Sequence, residues 1–140
     1  MEELTLDHNT LHLKSTRETA FVTLSNTGPS RYAIKLLCDN NFHYMFNPVH
    51  AFLEANSHLE IEVIRSNGPY NESKMDIAFF KATDHDFDPE ILIPHGSDGE
   101  FKRRVHLIAD GSEREILFIV ILINNINKNH LKIWLFAITS

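Results

Sequence analysis

Residues 58–64, His-Leu-Glu-Ile-Glu-Val-Ile, alternate strictly between apolar and polar, with Leu59, Ile61 and Val63 on one side and Glu60 and Glu62 on the other. Successive side chains of an extended strand point to opposite faces, whereas a helix of this composition would scatter the three aliphatics around its circumference. The run therefore predicts a strand with one dry face and one wet face, the pattern of an antiparallel sandwich. The same period recurs along the chain. Ala20, Val22 and Leu24 share a face in residues 19–26, with Thr23 and Ser25 opposite. Tyr32, Ile34, Leu36 and Cys38 share one in 31–38, with Lys35 opposite. Met75, Ile77 and Phe79 do so in 74–82, and Phe101, Val105 and Leu107 in 101–109.

Turn chemistry separates these runs. Asn26-Thr27-Gly28-Pro29-Ser30 predicts a hairpin or sheet corner, and Ser66-Asn67-Gly68-Pro69 a turn. Leu4–Asp7 and Leu11–Lys14 read as two pieces of a first strand interrupted at Asp7-His8-Asn9. Tyr44–Asn47 is a short extended piece stopped by Pro48, which has no ladder donor and suits an edge or a crossing point. Residues 83–99, an acidic stretch punctuated by Pro and Gly, read as one long loop. The expectation is an all-β chain of about seven strands, arranged as an immunoglobulin-like sandwich over residues 1–110.

The remainder, residues 111–140, differs in kind. An apolar run, Ile116–Ile123, is followed by the polar NNINKNHLK and then a second apolar stretch ending at Ile138. A spanning helix needs about 20 mainly apolar residues, so the interruption argues against a transmembrane span. An added strand, an unstructured extension and translated non-coding sequence all remain open for this hydrophobic, Asn-rich tail.

Charge narrows the function classes. Residues 1–110 hold 10 Lys or Arg against 17 Asp or Glu within a chain of net charge −6. Nucleic-acid binding draws largely on phosphate neutralisation, so an acidic domain is a poor candidate for it. Lys102, Arg103 and Arg104 form one local basic run, of which alternation lets at most two share a face. The single cysteine, Cys38, cannot form an internal disulfide, and the N-terminus has no basic start with an apolar stretch; both favour a cytoplasmic setting. Asn71-Glu72-Ser73 matches a glycosylation acceptor, a match read as chance without a sign of secretion.

Catalytic and metal chemistry find little support. Cys38 reads as a small core hydrophobe rather than a nucleophile. His85, Asp86, Asp88 and His95 share the long loop, and His8 and His12 are four apart, but neither grouping has the spacing of a zinc site. Asp84–Asp88 resembles the opening of a calcium loop until Pro89 stands where glycine is needed. No phosphate cradle or nucleophile elbow is present. The sequence predicts no enzyme, no metal and no cofactor.

Residues 31–64, RYAIKLLCDNNFHYMFNPVHAFLEANSHLEIEVI, carry a resemblance. An aromatic-x-x-Lys strand from Tyr32 to Lys35, a polar turn, an extended segment ending at Pro48 and the stretch Ala51-Phe52-Leu53-Glu54-Ala55 resemble the major sperm protein domain of nematodes. Vesicle-associated membrane-protein-associated proteins share that domain. Ala51 stands where the family usually has Gly, and the resemblance extends more weakly from about Leu4 to Ala109. It implies a seven-strand immunoglobulin-like sandwich without disulfides, serving as a protein-interaction or cytoskeletal module in the cytoplasm or pseudopod of sperm, with protein partners or copies of itself.

The membrane-tethered relatives bind acidic peptides on a Lys-x-Lys-Thr-Thr strand. Here that strand reads Lys35-Leu36-Leu37-Cys38-Asp39, which replaces the second cation by Leu37 and adds the negative Asp39. Losing one charge-assisted hydrogen bond costs roughly 1.5–3 kcal/mol, so the resemblance favours the small sperm-specific branch over an adaptor that binds short peptide motifs at the Lys35 strand. The candidate interaction surface is Lys35, Leu37, Lys102 and Arg104.

Overall fold

The computed structural model describes residues 3–94 and 96–110; the expectations for the tail from residue 111 and for His95 lie outside them. The alternating runs become strands β1 (Leu4–Leu6), β2 (Thr10–Lys14), β3 (Glu18–Asn26), β4 (Arg31–Cys38), β5 (Tyr44–Asn47), β6 (His50–Leu53), β7 (Ser57–Arg65), β8 (Asn71–Ala82) and β9 (Phe101–Asp110). They build two facing sheets, a four-stranded one in the order β1-β3-β7-β5 and a five-stranded one in the order β2-β9-β8-β4-β6. All pairings are antiparallel except β2 with β9.

Nine segments arise from the seven expected strands because two strands each change sheets. The chain leaves the first sheet at Asp7-His8-Asn9, where Asp7 Oδ1 still accepts from the Thr23 amide at 2.8 Å and the Asn9 carbonyl already accepts from His106 N at 2.9 Å. It crosses again at the cis Asn47-Pro48 bond, between β5 on the edge of one sheet and β6 on the edge of the other. Pro48 thus occupies the crossing point that its missing N–H suits. The turn predicted at 26–30 is the corner between β3 and β4. There the buried Asn26 side chain donates to the carbonyls of Ser30 at 2.7 Å and Glu54 at 3.0 Å, and its oxygen accepts from Gly28 N at 3.0 Å.

The interior is the sum of the inward half of each alternation. Val22 and Leu24 from β3 and Ile61 and Val63 from β7 meet Ile34 from β4, Met75, Ile77 and Phe79 from β8, and Val105 and Leu107 from β9, all fully buried. Phe79 stacks on Phe101 at 5.0 Å, and Tyr32 sets its edge against both rings.

Two expectations need correction, and one buried charge is new. β8 starts at Asn71, three residues earlier than the sequence suggested, because Ser73 lies on the buried face and continues the alternation of Met75 and Ile77. The stretch 83–99 is not all loop: Asp88 caps and Pro89 opens a single helical turn, α1 (Pro89–Leu92), since Asp88 Oδ1 accepts from Glu90 N at 2.9 Å. Arg65 continues the inward register of Ile61 and Val63 and is wholly buried. It donates to Asn71 Oδ1 at 3.0 Å and to the Pro69 carbonyl at 2.6 Å and lies over the Tyr44 ring. The Asn71 of the apparent glycosylation triplet is therefore already engaged.

Removing the Phe79 ring by Phe79→Ala should cost about 3–5 kcal/mol of unfolding free energy in urea melts. Phe42, 89% exposed, should tolerate Phe42→Ser within about 0.5 kcal/mol.

Candidate interaction face on the five-stranded sheet

Strand register places the four candidate residues on one surface. Lys35 pairs with Ala78 and Ala78 with Lys102; one step along, Leu37 pairs with Asp76 and Asp76 with Arg104. Since positions two apart in a strand share a face, Lys35, Leu37, Lys102 and Arg104 stand together on the outer side of the five-stranded sheet. Arg103, the middle member of the basic run, points to the other side, with its guanidinium over the Phe101 ring.

Asp76 organises this face. Its two carboxylate oxygens accept from Arg104 Nε at 2.8 Å and Nη2 at 3.0 Å, a bidentate clamp, and Lys102 Nζ lies 3.8 Å away. Lys102 also lies 3.5 Å from Asp98. The hydrogen bonds from Arg104, backed by its charge, hold the Asp76 carboxyl below the ordinary carboxylate range. The basic run is therefore a charge network rather than a row of solvated cations. Sequence reasoning missed Asp76 because its partners lie 26 and 28 residues away on another strand, where only the β8–β9 register brings them together.

Beside Lys35 the face deepens into a groove of about 460 Å³ lined by Lys35, Leu37, Val49, His50, Glu90 and Ile93. The turn α1 lies against β4 and β6 to form its wall, with His50 Nδ1 3.5 Å from Glu90 Oε1. Ala33 and Ala78 are small and fully buried although they lie on the outer side, and the 83–99 stretch approaches the Ala78 Cβ at Gly99. Gly99, at φ 77°, passes so close to β8 that a Cβ there would sit 2.7 Å from the Phe79 carbonyl oxygen. Arg31 ties down the start of the segment by donating to the carbonyls of Thr83 and Asp86.

Other singled-out residues take local roles. Asp86 Oδ2 accepts from the Thr83 amide at 2.7 Å, and Asp88 caps α1. His8 lies 3.8 Å from Asp7, and His12 lies 3.8 Å from Asp110. Among the described residues, no three His, Cys, Asp or Glu side chains gather into a metal site. Cys38 packs half-buried against the core, and burial raises its thiol pKa, the direction that disfavours the nucleophilic thiolate. Asp39 extends the β4–β8 ladder: its amide donates to the Lys74 carbonyl, and its Oδ1 accepts from Lys74 N at 2.9 Å.

Residues 3–88 match the family model described as the MSP (major sperm protein) domain. The chain belongs to the major sperm protein domain family. A similar relative is sperm-specific class P protein 32 of Caenorhabditis elegans, 38% identical over 53 residues, which are 38% of this chain and 50% of that protein. The chain spans between half and just under two thirds of the length of the class P relatives it matches. Among solved structures, WR4, a C. elegans MSP family member, superposes with a TM-score of 0.72 at 25% identity, over 79% of this chain and 100% of that one. The periplasmic chaperone SfaE shares the fold alone, with a TM-score of 0.57 at 11% identity over 76% of this chain and 56% of its own. The major sperm protein domain thus sits on the same sandwich that the alternation predicts.

The depressed Asp76 pKa has a pH consequence. Its stabilising contribution is complete above the ordinary Asp range, near about pH 4, and is lost as pH falls through the lower folded-state value. Urea melts at descending pH should show the wild type losing more stability in acid than Asp76→Asn does.

Proposed function

We propose that this chain is a non-enzymatic protein-interaction module of the major sperm protein type, working in nematode sperm through self-association or a protein partner. The observation that carries this reading is the match of residues 3–88 to the major sperm protein domain, a family of structural and binding domains. The sperm-specific naming of the class P relatives supports the cellular setting. In this reading it works in the sperm cytoplasm or its pseudopod, an assignment supported by the sperm-specific naming of those relatives. No helix of the described residues is long and apolar enough to cross a membrane.

The contact face in this reading is the outer side of the five-stranded sheet, presented by Lys35, Leu37, Lys102 and Arg104. What supports it is the rigidity of the platform: three adjacent strands in defined register, with two of the four side chains held by Asp76. Preorganised side chains lose less conformational entropy on association than free ones. A short acidic peptide is a poor occupant. Leu37 offers it no charge, Asp39 stands at the end of the same strand, and Asp76 already neutralises Arg104.

Sedimentation velocity over a rising protein concentration tests the self-association form of the reading. The weight-average sedimentation coefficient should climb with concentration and fall back when salt is added. A strict monomer at the highest concentration reached would leave only a separate protein as the partner.

A further inference from the structure

The outer side of the four-stranded sheet carries large apolar side chains where a water-facing sheet usually carries polar ones. Register sets Ile64 between Met45 and Thr19, and one row further on it sets Phe21 beside Glu62. Phe21 is 48% and Met45 67% exposed. The carboxylates on this side are Glu60 and Glu62. The one Lys or Arg within β1, β3, β5 and β7 is Arg65, which is buried; Arg17 lies in the connection into β3. This face therefore complements an occupant that is both apolar and cationic. The five-stranded face, where cations mix with Glu72, Asp76 and Asp98, makes no such selection.

A segment of that chemistry belongs to this chain, in the residues beyond β9 that lie outside the described ones. The run Ile116–Ile123 is apolar throughout, and an apolar surface of that size seldom stays in water. Beyond Glu115 the sequence holds no Asp or Glu, and its cations are Lys128 and Lys132, with His130 between them. The exit point lies at the right end of the sandwich. The carbonyl of Asp110, the last residue of β9, accepts from Ser15 N at 2.9 Å, and the Ser15 carbonyl accepts from Gly68 N at 2.9 Å. Ser15 precedes Thr19 by four residues and Gly68 follows Ile64 by four, so β9 ends beside the row that holds Ile64 and Met45. Residues 111–115 span about 17 Å when extended, more than the roughly 10 Å between packed sheets.

We propose that the outer face of the four-stranded sheet is the docking site of the chain's own residues 116–132. Ile116–Ile123 cover Phe21, Met45 and Ile64, and Lys128 and Lys132 lie against Glu60 and Glu62. Two apolar surfaces that would each face water bury one another, and the charges beside them pair. Because the segment is tethered, its effective concentration at the face is on the order of millimolar, so a weak contact is enough to hold it. The assignment stands apart from the self-association reading: the segment occupies this face in a single copy and leaves the Lys35 face open.

Trp134, the single tryptophan of the intact 140-residue chain, stands two residues past Lys132 and reports the docking. In the wild type its indole should be shielded from acrylamide to the same degree at every protein concentration. Two double variants test the pairing: Glu60→Lys with Glu62→Lys alters the face, and Lys128→Glu with Lys132→Glu alters the segment without touching the sandwich. Each should lower the ratio of shielded to open Trp134 by about tenfold, the effect of facing like charges, and all four changes together should restore it. Phe21→Asp with Met45→Asp should release the indole in the same way. A wild-type Trp134 quenched as readily as in the urea-unfolded chain, or shielding that ignores both charge reversals, overturns the assignment. Shielding that appears only as concentration rises overturns it as well, in favour of the same segment of a second copy.

Discussion

Everything in this molecule depends on alternate residues of extended segments sharing one dry interior between two sheets. Val22, Leu24, Ile61 and Val63 from one sheet and Ile34, Met75, Ile77, Phe79, Val105 and Leu107 from the other exclude water completely. A slip of one residue in any of these strands would turn its aliphatics outward and its charges inward. Glu60 and Glu62 make that slip costly in β7, and Asp76 makes it costly in β8. Register is thereby held tightly, and through register so is the position of every outward side chain. The Lys35–Ala78–Lys102 and Leu37–Asp76–Arg104 rows exist because the interior is packed as it is.

The two places where the chain changes sheets shape the molecule's edges. At Asp7–Asn9 and at Asn47-Pro48 a single extended run serves first one sheet and then the other. This leaves short strands, β1 and β5 on the first sheet and β2 and β6 on the second, at all four edges. Edges of three to five residues offer little backbone for chance pairing with other chains.

Much of this architecture was legible in the sequence because burial with period two is a local signal. The strands around Val22, Ile61 and Ile77 could be read directly, as could the corner at Asn26 and the crossing at Pro48. What was not legible depends on pairing between distant segments. The clamp of Asp76 on Arg104, the buried guanidinium of Arg65 over Tyr44 and the close approach of Gly99 to Ala78 and Phe79 each join parts of the chain that no window contains. Arg65 was within reach, since the parity of Ile61 and Val63 continues through it. The helical turn at Pro89 was also marked, by Asp88 one residue before a proline, a cap overlooked because the segment is so rich in turn residues.

Amide hydrogen exchange followed residue by residue tests the shared interior most directly. The account predicts the slowest exchange at the paired centres of β3, β7, β4, β8 and β9, around Val22, Ile61, Ile34, Ile77 and Val105, with fast exchange across residues 83–88 outside the ladder. Exchange at unprotected rates through residues 19–26 or 58–65 would contradict it, because no dry interior could then lie between the two sheets.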